Sequence, residues 1–279
     1  MIVRGKKSAA AAAAVAPSRD GLPSFDRPPV TEVVCGFVFE PLQGFLLPHA
    51  GVYWEAIRRE FPECAHAAPL GIDGSPGWQD EATGLPLPRL WFISEDKREL
   101  LQLQGDCFYF NWRRRDEHDV YPRFSAVFDG FKQQLAVFLR FLEEQKLPAP
   151  VITGCDLTYV NHIPQDVGWN SVEDLSAVFR DFRWESDTSR FLPTPRAVSW
   201  SNQFVIPEGG ILTSNGSIVK RVRDQLPVVK FEMQAKVKTN GGAPDAHLGW
   251  FDVAHKWIVN GFVDLTRSEI QQKAWRRNG

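Results

Sequence analysis

The four cysteines, Cys35, Cys64, Cys107 and Cys155, form no C-x-x-C pair, so zinc-ribbon and redox motifs are missing. No stretch approaches about 18 consecutive apolar residues, which removes a transmembrane helix. An excess of one charge is missing too: 32 Lys and Arg stand against 34 Asp and Glu, a net charge of −2. Bulk charge therefore gives no argument for nucleic acid or an anionic membrane; only a local patch could. There is no Walker loop, G-x-G-x-x-G, G-x-S-x-G or H-E-x-x-H. The strong signals of catalysis are thereby absent, and the sequence does not name a reaction. What is abundant is ring and proline: 10 Trp, 20 Phe and 20 Pro in 279 residues. Phe and Trp bury large areas, so an aromatic-rich core is expected. Three cysteines sit inside strand-like runs, where free thiols act as small buried hydrophobes. A disulfide framework is not expected at this size, which favours a reducing, cytoplasmic setting.

The first residues carry Arg4, Lys6, Lys7 and an Ala run, the outline of a signal peptide. Ala is only weakly apolar and the run lacks Leu and Phe. Residues 1–26 are therefore expected to be a disordered or frayed, Ala-rich tail. Arg27-Pro28-Pro29 then stops any helix and opens an extended segment, Val30 to Phe39. Ala50 to Phe61 has helical spacing, closed by Pro62. Residues 63–88, dense in Pro and Gly, predict a long loop. Arg89–Ser94 and Leu100–Trp112 predict a hairpin. Phe124 to Leu147 carries an unbroken apolar stripe and predicts the longest helix. Val151 to Ile163 is the next strand.

That order, β-α-β-β-α-β, is the ferredoxin-like split unit. The second half predicts a helix from Ser171 to Phe182, then strands at Ala197–Ile206, Ile211–Val222 and Val228–Lys238. Helices at Leu248–Leu265 and Ser268–Trp275 close the chain. The fold class expected is α+β: antiparallel sheet backed by helices, an N-terminal half at 27–165 and a C-terminal half at 166–279. One shared sheet and two separate lobes both remain open.

Chemistry could sit in three places. The run Asn111, Trp112, Arg113, Arg114, Arg115 leaves a strand, and guanidinium groups grip phosphate or carboxylate bidentately. The plainer alternative is a solvated loop whose arginines pair with Asp116, Glu117 and Asp119. Tyr159, Asn161 and His162 end a strand on which Asp156, Thr158, Val160 and His162 share a face. Lys230, Lys236 and Lys238 form a basic row beside Lys220, Arg221 and Arg223, of the kind single-strand binding sheets use. Glu232 interrupts that row. Asp252 and His255, three apart on a helix, would hold a metal only if His162 lay beside them. Cys64 and His66 lack a second ligand pair.

Further segments carry a resemblance. Arg27-Pro28-Pro29-Val30-Thr31-Glu32-Val33-Val34, Tyr53-Trp54-Glu55-Ala56-Ile57-Arg58 and Phe61-Pro62 resemble the opening of a sporadically distributed prokaryotic family of unknown function. So do Phe110-Asn111-Trp112-Arg113, Tyr121-Pro122-Arg123-Phe124, Thr158-Tyr159-Val160-Asn161 and the closing Ala254-His255 to Leu265-Thr266. The resemblance covers about residues 27–275. It implies a standalone cytoplasmic protein with no assigned activity, in an accessory role such as defence against mobile elements.

The expectation is a non-enzymatic binding or adaptor protein without a cofactor, with a protein partner or a second copy as its ligand and no membrane. A metal-assisted hydrolase using Asp252, His255 and His162 is the first alternative. A nucleic-acid binder using the basic sheet face is the second.

Overall fold

Val229, Phe231, Met233, Ala235 and Val237 alternate with Lys230, Glu232, Gln234, Lys236 and Lys238, a pattern that demands one buried and one wetted face. The computed structural model places these residues in the interior of a sheet, not at its edge. It describes residues 21–71, 78, 79, 84–185, 187 and 189–278. The expectation for residues 1–20 lies outside the described residues.

The elements run β1 (Ser24–Phe25), β2 (Val30–Phe39), α1 (Leu47–Ile57), β3 (Glu63–Ala67), β4 (Arg89–Ile93), β5 (Glu99–Gln104) and β6 (Cys107–Arg113). Then follow α2 (Phe124–Glu144), β7 (Ile152–Pro164), α3 (Leu175–Val178), β8 (Ser199–Val205), β9 (Ile211–Lys220) and β10 (Pro227–Lys238). The chain closes with α4 (Trp250–Leu265), α5 (Ser268–Lys273) and β11 (Arg277–Asn278). Nine strands make one sheet in the order β3-β4-β5-β6-β2-β7-β10-β9-β8, every neighbouring pair antiparallel. β1 and β11 pair separately, so the end of the expected tail is a strand.

The fold is α+β, a large antiparallel sheet backed by helices. In the first half β2 and β3 run parallel, with β4, β5 and β6 between them. A ferredoxin-like unit places one strand there. Two features add the others. Leu100–Trp112 is two strands, reversed at Gly105-Asp106. Glu63–Ala67, inside the segment expected to be a loop, is an edge strand on β4. The expected helix from Ser171 shrinks to Leu175–Val178. Asp174 draws the backbone N–H groups of Asn170 and Ser171 onto its carboxylate, at 2.9 and 3.1 Å, and holds that stretch as a turn. The sheet runs on from β7 into β10, so both halves share it.

α1, α2 and α4 cover one face. Phe131 of α2 meets Phe37 of β2 at 5.3 Å and Phe251 of α4 at 5.3 Å between ring centroids. Tyr53 of α1 meets Phe92 of β4 and Phe138 of α2 at 5.8 and 5.5 Å. A Cβ on Gly130 would come within 2.9 Å of the Phe110 ring, so glycine there lets α2 lie close on β6. The other face is left open.

Candidate functional site

Strand alternation decides what the open face presents. Every second residue of β4 to β10 points away from the helices, and these residues are polar far more often than their neighbours. Together with the segments at the strand ends they line a trough of about 1970 Å³.

Three carboxylates stand on its floor strands, Asp156, Glu32 and Glu232. Asp156 of β7 is 5% exposed. It accepts hydrogen bonds from Thr158 Oγ1 at 2.8 Å and from Gln234 Nε2 at 3.0 Å, with Lys236 Nζ at 3.4 Å. Burial raises its pKa; Lys236, Thr158 and Gln234 pull against that rise. Beside it the ring of Tyr109 lies flat over Gly36, where any Cβ would sit 1.9 Å from Cδ1. Glu32 of β2 ends a hydrogen-bonded chain that crosses four strands. Arg89 donates to Gln102 at 2.8 Å, Gln102 to Asn111 at 2.7 Å, and Asn111 to Glu32 at 2.6 Å. Burial raises Glu32 as well, opposed by Asn111, Arg113 and Lys230.

The donors are less well served. Arg89 Nε, Trp91 Nε1, Arg113 Nε and Arg114 Nε are buried without a hydrogen-bond partner among the described residues, and all four side chains line the trough. Arg113 and Arg114 each give another N–H to a backbone oxygen, of Lys97 at 3.1 Å and Pro28 at 3.3 Å. Burial lowers the pKa of Arg89, Arg113 and Arg114 without removing their charge at neutral pH. His162 also faces the trough; burial, then Arg221, Lys230 and Arg223, hold it below the ordinary imidazole value.

The residues singled out in the sequence fall on two faces. Asn111, Arg113, Arg115, His162, Lys230, Lys236 and Lys238 line the trough. Lys230 pairs with Glu232 at 3.0 Å. Trp112, Tyr159 and Asn161 point the other way, under the helices. Trp112 packs on Tyr121 at 5.3 Å, and Tyr159 shares hydrogen bonds of 3.0 Å with Tyr121 and with His255 Nδ1. Asn161 donates to the Phe231 carbonyl at 3.1 Å. The period of two that joins Asp156 to His162 puts their odd-numbered neighbours on the covered face. The same geometry corrects the metal alternative: His162 lies on the open face and His255 beneath the helices, so the pair cannot share an ion with Asp252. Among the described residues no group of three His, Cys, Asp or Glu is placed to hold a metal. The Arg run is not paired as a solvated loop would be. Asp119 takes the backbone N–H groups of Arg115 and Asp116 and the side chain of Arg98. Glu117 pairs with Arg223 at 2.7 Å.

Glu32, Arg89, Trp91 and Gln102 are not among the candidate site residues read from the sequence. Their only signal is a polar or large ring at an alternate position of an apolar strand. Among the described residues no helix is long and apolar enough to cross a membrane. No known family model matches the chain, and no curated protein is significantly similar to it.

Proposed function

We propose that the chain is a non-enzymatic, cytoplasmic binding or adaptor protein whose trough takes an acidic polypeptide segment, from a partner or from a second copy. Four side chains that line one trough, each with a buried N–H left without an acceptor among the described residues, carry this reading. A buried donor without an acceptor costs about 1–3 kcal/mol, a cost that is removed when these side chains turn towards an acceptor-rich ligand. Charge supports it. Among the described residues ten Lys and Arg but six Asp and Glu line the trough, in a chain of net charge −2. Asp156 pairs with Lys236, Glu232 with Lys230 and Glu117 with Arg223, so the field of the trough is that of the remaining cation excess. The family resemblance adds an accessory role, such as defence.

The cation excess also favours a second reading, a single strand of nucleic acid. Such strands stack on runs of exposed rings; of the rings lining the described trough Tyr109 and Trp275 are buried and Trp91 and His162 half-buried, which ranks the peptide first. Fluorescence anisotropy of a labelled poly-glutamate peptide and of a mixed-sequence single-stranded oligonucleotide, both at low salt, tests the pair. Poly-glutamate is expected to bind, and Arg113→Ala with Lys230→Glu to weaken it at least about tenfold, two charge-assisted contacts being lost. Tighter oligonucleotide binding with a steep salt slope replaces the first reading by the second. No binding of either probe overturns both.

A further inference from the structure

A second cavity, of about 430 Å³, lies on the covered side of the sheet. That is within the size range of small-molecule sites, roughly 300–1,000 Å³. Its walls are Phe25 of β1, Phe124 of α2, and Ile258, Val259 and Phe262 of α4, with Met233 of β10 behind them. Tyr121, Tyr159 and His255 also line it, and they satisfy one another in a chain of 3.0 Å hydrogen bonds. None of the three is among the buried side chains left without a partner. An apolar body entering here meets rings, methylenes and polar atoms already paired.

The polar end of the cavity is Arg123. It is half-buried, and among the described residues its guanidinium makes one hydrogen bond, to the Phe25 carbonyl at 3.0 Å. It is the only formal charge among the described lining residues at neutral pH, since no Asp or Glu lines the cavity. Burial pushes His255 down to about 4, so that ring is neutral. α2 begins beside Arg123 with no side-chain cap and no acidic residue in its first turn. The positive end of that helix dipole therefore goes uncompensated and adds to the Arg123 charge. Arg123 itself has φ 78°, a left-handed conformation that costs a non-glycine residue energy and fixes where its side chain leaves the chain.

The geometry points to a binding site for a small apolar carboxylic acid, about the size of octanoate, with its carboxylate on Arg123 and its body between α2, α4 and β1. The site is distinct from the trough: it lies on the opposite face of the sheet and takes a different chemistry, a tail that must leave water. Burial of methylenes supplies the affinity and the single cation supplies the choice of head group.

Isothermal titration of the full chain with octanoate, octanol and octylamine tests it. Octanoate is expected to bind one-to-one and saturably, with octylamine at least about tenfold weaker because a second cation replaces the anion at Arg123. Arg123→Gln is expected to bring octanoate down to the level of octanol. Val259→Trp, which fills the cavity, is expected to abolish binding of all three probes. Should that variant fail to fold, Ser125→Trp at the exposed mouth does the same work. Both filling variants are expected to leave poly-glutamate binding in the trough unchanged. No saturable octanoate binding overturns the proposal. So does binding that survives the filling variants or falls instead with Arg113→Ala and Lys230→Glu.

Discussion

Asp156 shows how a single side chain is held in the trough floor. The carboxylate is nearly sealed, and among the described residues Lys236, 3.4 Å away, is the one cation paired with it. Thr158 and Gln234 are neutral donors. Lys236→Met should therefore cost about 1–2 kcal/mol at neutral pH, the penalty of a buried charge losing its partner. Adding Asp156→Asn should recover most of it. Urea denaturation of the two single variants and the double variant measures this, and additive losses would refute it. His255 gives a pH test of the covered side. Its ordinary value is 6.5 and burial lowers it to about 4, so on acidification the unfolded chain takes the proton first. Stability from this group is complete above pH 6.5 and drains away as pH falls towards 4, by up to about 3 kcal/mol. Asp156 and Glu32, raised by burial, work in the opposite direction. The difference between wild type and His255→Gln is therefore the quantity to read. The variant should lose less Tm between pH 6.5 and 4 by calorimetry, and parallel curves would sink the assignment.

At the scale of elements, α2 is the clamp of the covered face. Its stripe of Phe124, Val127, Phe128, Phe131, Leu135, Phe138, Leu139 and Leu142 is legible in the sequence; Leu139 is half-buried and the others are buried. Phe131 touches Phe37, Phe108, Phe128 and Phe251, rings from two strands and two helices. Phe131→Ala should cost about 3–5 kcal/mol in chemical denaturation, the range for a large buried ring. A loss under about 1 kcal/mol would mean that this cluster relaxes around the gap. β3 was not legible. Glu63-Cys64-Ala65-His66-Ala67 is exposed along an edge and carries no apolar alternation. Only its pairing with β4 makes it a strand, and pairing is invisible to a local pattern. The break at Gly105-Asp106 was hidden for the opposite reason: β5 and β6 are buried on both sides of the turn, so their run of apolar residues reads as one strand.

For the whole molecule, the sheet has no seam. β7 pairs with β2 on one side and with β10 on the other, and Phe251 of α4 packs on Phe37 and Phe131 from the first half. Separate expression of residues 21–165 and 166–279 should therefore give two chains without cooperative unfolding. The full chain should melt in one transition by calorimetry. Two independent transitions, or a folded fragment, would contradict a shared core.

Which residues are apolar every second or every third-to-fourth position is a local property, and the sequence alone determined it: most strands, the long helix, the closing helix and the antiparallel α+β class. The position of each strand in the sheet is not local. Glu32 and Asn111 meet across 79 residues, and Tyr159 and His255 across 96. Such contacts depend on which edges pair and which face the helices choose to cover. That choice is made by burial of the whole aromatic layer at once, and it separates Tyr159 and Asn161 from His162, their neighbour in the chain. It also gathers along one trough four side chains with buried donors, a grouping that no stretch of the chain contains by itself.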